Sequence, residues 1–214
     1  MEILYEDSAV IVAVKPRGVL SQSDKNGGES MVKSLEKYTS GEIYPVHRLD
    51  KETGGVMVYA KTKKSAATLS RDISEHRFYK EYLALVHGVP EENSGTLCDL
   101  LFHDKAKNKS YVVKRERKGV KKAELYYELL ETKEKDGEKY SLLRVVLHTG
   151  RTHQIRVQFA HRKMPLAGDR KYGAQDGCKS LGLLAAKLKF FHPETGEEME
   201  FTAKEKPFII YIFR

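Results

Sequence analysis

Asp50 is the carboxylate whose neighbours give it the most chemical context in this 214-residue chain. It closes the run His47, Arg48, Leu49, Asp50 and is followed by Lys51, Glu52, Thr53, Gly54 and Gly55, so an acid stands among cations in a segment with glycine freedom. Pro45 before it and Val56 to Ala60 after it read as extended, which puts Asp50 in a loop between strands, where reactive groups are commonly held. An aspartate there can act as a nucleophile or as a base. Taken by itself, it equally well caps a turn or pairs with Lys51. A second group of candidates lies in His148, Thr149, Gly150, Arg151, Thr152 and His153, where Arg151 falls at a strand-to-helix corner. His148, His153 and His161 do not have the spacing of a zinc motif such as HExxH, and Cys98 and Cys178 form no CxxC pair. Neither a metal nor a disulfide framework is expected. No GxxxxGK[ST] or GxGxxG run is present, so neither nucleotide hydrolysis nor hydride transfer is indicated, and no cofactor is expected.

The elements that must position these residues are strand-rich. Ile3 to Tyr5 and Ala9 to Lys15 are short apolar or β-branched runs, and Pro16, Arg17 and Gly18 supply a turn. Asp24 to Ser30 is polar and glycine-containing and reads as a loop before a short helix over Met31 to Tyr38. Val56 to Ala60 reads as a buried strand. From Ser65 to Glu75, the spacing of Ala66, Leu69 and Ile73 predicts a helix with that stripe inward. Lys80 to His87 alternates as a strand, with Tyr82, Ala84 and Val86 on one face, and Gly88 and Pro90 end it. Ala123 to Glu131 and Tyr140 to Leu147 read as antiparallel strands joined through Asp136-Gly137, a dipeptide suited to a tight hairpin turn. A helix is expected over Gln154 to Lys163 with Ile155 and Phe159 on one face. Leu183 to Phe191 and Met199 to Thr202 read as a further strand pair, and Phe208 to Phe213 as a buried terminal strand too short to cross a membrane.

The chain carries 38 Lys and Arg against 30 Asp and Glu, a formal charge of +8, which favours a polyanionic partner. The densest positive run, Lys105 to Lys122, includes Lys107, Lys109, Lys114, Arg115, Arg117, Lys118 and Lys121 around Tyr111, Val112 and Val113. It reads as a basic hairpin, serving either nucleic-acid contact or protection of a sheet edge by lysines. The N-terminus lacks the pattern of a secretory signal and the two cysteines fit a reducing compartment, so a cytoplasmic protein without a membrane role is expected.

His47 Arg48 Leu49 Asp50, with Thr53 and Gly55 following, resembles the signature of the RluA family of pseudouridine synthases. Lys80 to Gly88 (KEYLALVHG), Gly150 to Val157 (GRTHQIRV), Leu166 to Tyr172 (LAGDRKY) and Leu188 to Pro193 (LKFFHP) reinforce the resemblance in the family's order. The resemblance implies an α+β pseudouridine synthase fold: a long, bent, mostly antiparallel mixed sheet flanked by helices and loops, with an active-site cleft across its middle. It implies one catalytic domain over residues 1–214. Many relatives carry an N-terminal S4-type RNA-binding module; here the catalytic domain starts within the first residues, so that module is expected to be absent. The expected partner is structured RNA, ribosomal or transfer, and the expected state is a monomer.

The resemblance also assigns roles. Asp50 takes the place of the family's catalytic carboxylate, and Arg151 that of the arginine pairing with it; a guanidinium beside a carboxylate keeps it ionised and aimed. Tyr82 matches the family's active-site tyrosine, whose ring can stack on the target uracil. Arg48 is assigned to the gap left by an extruded uridine or to its phosphate, because a base within a helix must flip out before its glycosidic bond is reachable. His47 serves loop packing or RNA contact. Thr53 belongs to the substrate-binding signature, Leu183 packs under the base or in the core, and Lys114, Arg115 and Arg117 are candidates for phosphate contact. Two positions depart from the family pattern: Gly54 stands where serine is common, and Leu184 where histidine is common. A non-catalytic RNA-binding protein and a metal-dependent nuclease are the alternatives from other classes.

Overall fold

The computed structural model describes residues 1–23 and 28–203. The predicted loop over Asp24 to Ser30 therefore lies partly, and the predicted strand over Phe208 to Phe213 wholly, outside the described residues. In chain order the elements are β1 (Glu2–Glu6), β2 (Val10–Lys15), α1 (Met31–Thr39), β3 (Tyr44–Pro45), β4 (Gly54–Ala60), α2 (Lys63–Ser74), β5 (Tyr79–His87), β6 (Ser94–Asp104), β7 (Lys109–Val113), β8 (Val120–Lys135), β9 (Glu138–Leu147), α3 (Gln154–His161), a 3-10 turn (Arg170–Tyr172), β10 (Leu183–Phe191) and β11 (Glu198–Thr202). The α+β class expected for the chain holds.

Two compact units are formed. The first comprises Met1–Lys80 and the described residues from Ala185 onward, the second Glu81–Leu184. The chain passes from one to the other inside β5 and returns inside β10.

In the first unit the strand order is β1-β2-β4-β10-β11, with β3 pairing β4. Strand β4 is buried at every position, as the apolar run Val56–Ala60 predicts; β2 and β10 flank it in the sheet and helix α2 packs on it. Gly55 is obligatory there. Its φ is +126°, and a Cβ would lie 2.1 Å from the carbonyl oxygen of Ala185, closer than any side chain tolerates. Gly54, which departs from the family pattern, has a local reason: a Cβ would meet the Lys15 carbonyl oxygen and the Arg17 side chain at 3.2 Å. Helix α2 is capped by the Thr62 hydroxyl, which accepts from the Ser65 N–H. Its inward face differs from the expected stripe, since Ser65, Leu69 and Asp72 are buried while Ala66 and Ile73 are only half-buried. The buried Asp72 has Arg77 Nη1 at 3.2 Å from its Oδ1, an ion pair without a hydrogen bond to that oxygen, and a partner that apolar periodicity does not register.

In the second unit the order is β5-β9-β8-β6-β7, with antiparallel pairing throughout. The β8–β9 hairpin turns at Asp136 and Gly137, with φ of 54° and 79°, the left-handed pair that a two-residue turn requires. The basic run is organised differently from a single hairpin. The hairpin is β6–β7, closed through residues 105–108, and β8 pairs the opposite side of β6. Lys114, Arg115 and Arg117 therefore sit in the connection from an edge strand to an interior one. Helix α3 ends at His161, two residues before the expected end, because Lys163 takes a left-handed φ of 61°. It is buried from Gln154 to Phe159, so the shared face of Ile155 and Phe159 is part of a helix enclosed nearly all round. Arg156 pairs with Asp169 at 2.7 Å, and Gln158 donates through Nε2 to the Leu97 carbonyl and the Asp99 carboxylate, while its Oε1 has no hydrogen-bond partner.

Candidate active site

Asp50 lies, as expected, in an irregular segment between β3 and β4, half-buried, with Arg48, Lys51 and Glu52 exposed and Leu49 and Thr53 buried. What fixes the path of this loop is a set of bonds to its carbonyls. The Leu49 carbonyl accepts from the Ser21 hydroxyl at 2.9 Å, and the Ser21 hydroxyl oxygen in turn accepts the Leu49 N–H at 3.0 Å. The Asp50 carbonyl accepts the Thr53 N–H at 3.0 Å. The Lys51 carbonyl accepts the Gly18 N–H at 2.9 Å and the Lys15 ammonium at 3.0 Å, and the Glu52 carbonyl accepts from Arg17 Nη1 at 3.3 Å. Four consecutive carbonyls are thus satisfied, three of them by residues of the segment that follows β2.

Lys15 is the centre of this clamp. It is fully buried, and its ammonium also donates to the Pro16 and Val19 carbonyls at 3.0 and 2.6 Å. Burial pushes its pKa down to about 8, against the upward pull of the Glu52 and Asp50 carboxylates. Three carbonyl acceptors compensate the lost hydration of a cation that apolar surroundings would otherwise expel. Sequence reading missed Lys15 and Ser21. The available signal was a lysine ending an apolar strand run immediately before Pro16-Arg17-Gly18, where a surface cation has no obvious use.

His47 is committed to the loop. Its Nε2 accepts the Val58 N–H at 3.1 Å, and burial together with the Lys80 charge lowers its pKa to about 3, so the ring is neutral. Thr53 is 2% exposed, and its hydroxyl has no hydrogen-bond partner. A buried polar group left in this condition costs on the order of 1–3 kcal/mol.

The other candidates belong to the second unit. Tyr82 is buried on β5, opposite Val145 of β9. Leu183 is buried at the start of β10. Arg151 occupies the predicted corner between β9 and α3, half-exposed, with Nε donating to the Lys122 carbonyl at 2.9 Å. Gln154, which sequence reading did not single out, holds that corner. Its Oε1 accepts from the Thr149 hydroxyl and the Arg151 N–H, and its Nε2 donates to the Glu124 carbonyl at 3.0 Å. His153, in a left-handed conformation with φ 55°, places Nδ1 at 3.0 Å from the Tyr172 hydroxyl. Lys114, Arg115 and Arg117 are exposed, and the Arg117 guanidinium lies 4.9 Å from the Phe102 ring centroid.

The structure thus gathers Asp50, His47, Arg48 and Thr53 on one loop of the first unit. Tyr82, Arg151, Leu183 and the three basic residues stand on separate elements of the second. Among the described residues, no group of three or more His, Cys, Asp or Glu is arranged to hold a metal ion, and no helix is long and apolar enough to cross a membrane.

A family model described as RNA pseudouridylate synthase matches residues 9–161. The chain belongs to this family. Among the RNA pseudouridylate synthase relatives, ribosomal large subunit pseudouridine synthase C of Buchnera aphidicola subsp. Schizaphis graminum is 32% identical, aligned over 94% of this chain and 66% of its own length. The tRNA pseudouridine synthase C of Haemophilus ducreyi is also 32% identical, over 95% of this chain and 90% of its own. Human RNA pseudouridylate synthase domain containing 1 has a similar structure, with a TM-score of 0.79 at 25% identity, covering 95% of this chain and 82% of that one. The chain spans 66% and 65% of the length of the two Buchnera synthase C relatives, just under two thirds.

Proposed function

We propose that this chain isomerises uridine to pseudouridine in structured ribosomal or transfer RNA, with Asp50 as the reacting carboxylate and without a cofactor. The observation that carries the proposal is the Asp50 loop: a carboxylate in the HRLD run of a family member, on a segment whose carbonyls are bonded from Leu49 through Glu52. Catalysis by a positioned group requires that its backbone not drift, and this bonding supplies that. Relatives named for ribosomal and for transfer RNA support both substrate classes.

The reaction breaks the bond between uracil N1 and the ribose, turns the base, and forms a carbon–carbon bond from C5 to the same ribose carbon. N1 gains a proton and C5 loses one, so the composition of the RNA is unchanged. In this reading Asp50 attacks the nucleoside or removes a ribose proton, Tyr82 stacks on the uracil, and Arg151 pairs with the carboxylate and aims it. Arg48 and Thr53 belong to the substrate loop, His47 holds that loop, and Leu183 packs beneath the base. Lys114, Arg115 and Arg117 contact phosphate. The proposal takes residues 1–214 as one catalytic domain, working as a cytoplasmic monomer.

Release of tritium from RNA labelled at uracil C5 tests it, because C5 must expel its hydrogen. Wild type is expected to release tritium with chelator present, and Asp50→Asn to bind RNA within a few-fold of wild type while losing nearly all turnover. Binding without release by the wild type, on both RNA classes, would leave a non-catalytic RNA-binding protein. RNA cleavage abolished by chelator would point to a nuclease.

A further inference from the structure

Thr53 holds the one buried hydroxyl of the Asp50 loop that has no hydrogen-bond partner. Its surroundings make this unusual. The carbonyls of residues 49 to 52 are all taken, the Thr53 N–H is donated to the Asp50 carbonyl, and Ser21, the other buried hydroxyl at the loop, makes two bonds to Leu49. A threonine whose hydroxyl contributes nothing to folding is replaceable by valine of nearly the same shape. A hydroxyl kept at a stability cost is better explained by a state other than the free protein.

We propose that Thr53 is a positioning residue: when RNA is bound, its hydroxyl donates a hydrogen bond to the Asp50 carboxylate and orients it for the reaction. The chain geometry suits this. The Thr53 N–H bond to the Asp50 carbonyl at 3.0 Å closes a turn that brings residue 53 back over residue 50, and in such turns short side chains at the two ends are within reach of one another. The inference rests on the catalytic role proposed for Asp50.

The test compares Thr53→Val and Thr53→Ser with wild type in three measurements: urea unfolding, RNA affinity, and the pH dependence of tritium release from C5-labelled RNA. Thr53→Val is expected to be at least as stable as wild type, to bind RNA within about threefold, and to lose ten- to hundredfold in kcat. The acidic limb of its pH–rate profile should move to higher pH, since its carboxylate lacks a donor. Thr53→Ser should recover most of the turnover while being less stable, having lost a buried methyl. Valine with wild-type turnover and an unmoved acidic limb would overturn the proposal and leave the catalytic role of Asp50 intact. Valine that loses stability and turnover together, with serine restoring both, would also overturn it by making the hydroxyl structural. A wild type that releases no tritium would overturn the catalytic reading itself, and this inference with it.

Discussion

Replacing Lys15 by methionine removes a fully buried cation from beneath the Asp50 loop, and pH separates its consequences from ordinary loss of packing. In the folded chain the Lys15 pKa is lowered from 10.5 to about 8 by burial, only partly offset by Glu52 and Asp50. The unfolded chain therefore holds this proton over a range in which the folded chain has released it. Stability rises with pH wherever the unfolded state binds more protons, so this group destabilises the folded state fully below about pH 8 and progressively less up to about pH 10.5. Taking about 1.36 kcal/mol per pKa unit, the wild type gains about 2 kcal/mol from Lys15 between roughly pH 7 and 9.5. Lys15→Met has no such proton to release, so its stability rises by about that much less over the same interval. At neutral pH the two effects of the substitution oppose each other. The Pro16 and Val19 carbonyls lose their ammonium donor, while the expense of burying a charge disappears. Urea unfolding of both proteins at closely spaced pH values reads the difference directly. Parallel stability curves from pH 7 to 9.5 would refute the reasoning, showing either that the ammonium keeps an ordinary pKa or that the site is hydrated.

Gly55→Ala should fail to give folded protein, or should unfold with a loss exceeding about 4 kcal/mol, because strain at φ +126° adds to a 2.1 Å approach to the Ala185 carbonyl; circular dichroism during urea unfolding measures it, and a near-normal midpoint would contradict the close approach. Joint replacement of Lys114, Arg115 and Arg117 by alanine should weaken RNA binding and lower the slope of log affinity against log salt by about 2–3, if each side chain neutralises one phosphate. An unchanged slope would assign these residues to edge protection alone.

Local chemistry made much of the fold legible. The Asp136-Gly137 turn, the buried run of β4, the alternation of β5 and the paired strands β10 and β11 each follow from a pattern within a few residues. Strand β6 was not legible. Its sequence carries Gly95, Asp99 and His103 among apolar residues, and Asp99 is bonded there by Gln158 of α3 and by Arg162 just after it, 59 and 63 residues away. The same limit applies to the site. Asp50 and Arg151 stood out through motifs, whereas Lys15 reads as a surface lysine until its three carbonyl partners, one of them 36 residues distant, are known. Helix α2 shows the converse, with Asp72 on its inward face and its ion-pair partner, Arg77, just beyond the helix end.

Apart from the Leu49 N–H, which donates to the Ser21 hydroxyl, the bonds described above for residues 49 to 52 end on carbonyl oxygens, so they use backbone groups that do not depend on the side chain. The clamp therefore does not read the side chains it positions. Substitution at Lys51 keeps every acceptor of the clamp, and substitution at Glu52 removes a charge that favours the Lys15 ammonium, whereas Lys15 and Ser21 supply donors of the clamp themselves. The loop can thus exchange its exposed side chains without relocating the backbone that carries Asp50, and the residues that fix its position and the residues it exposes are written in different stretches of the chain.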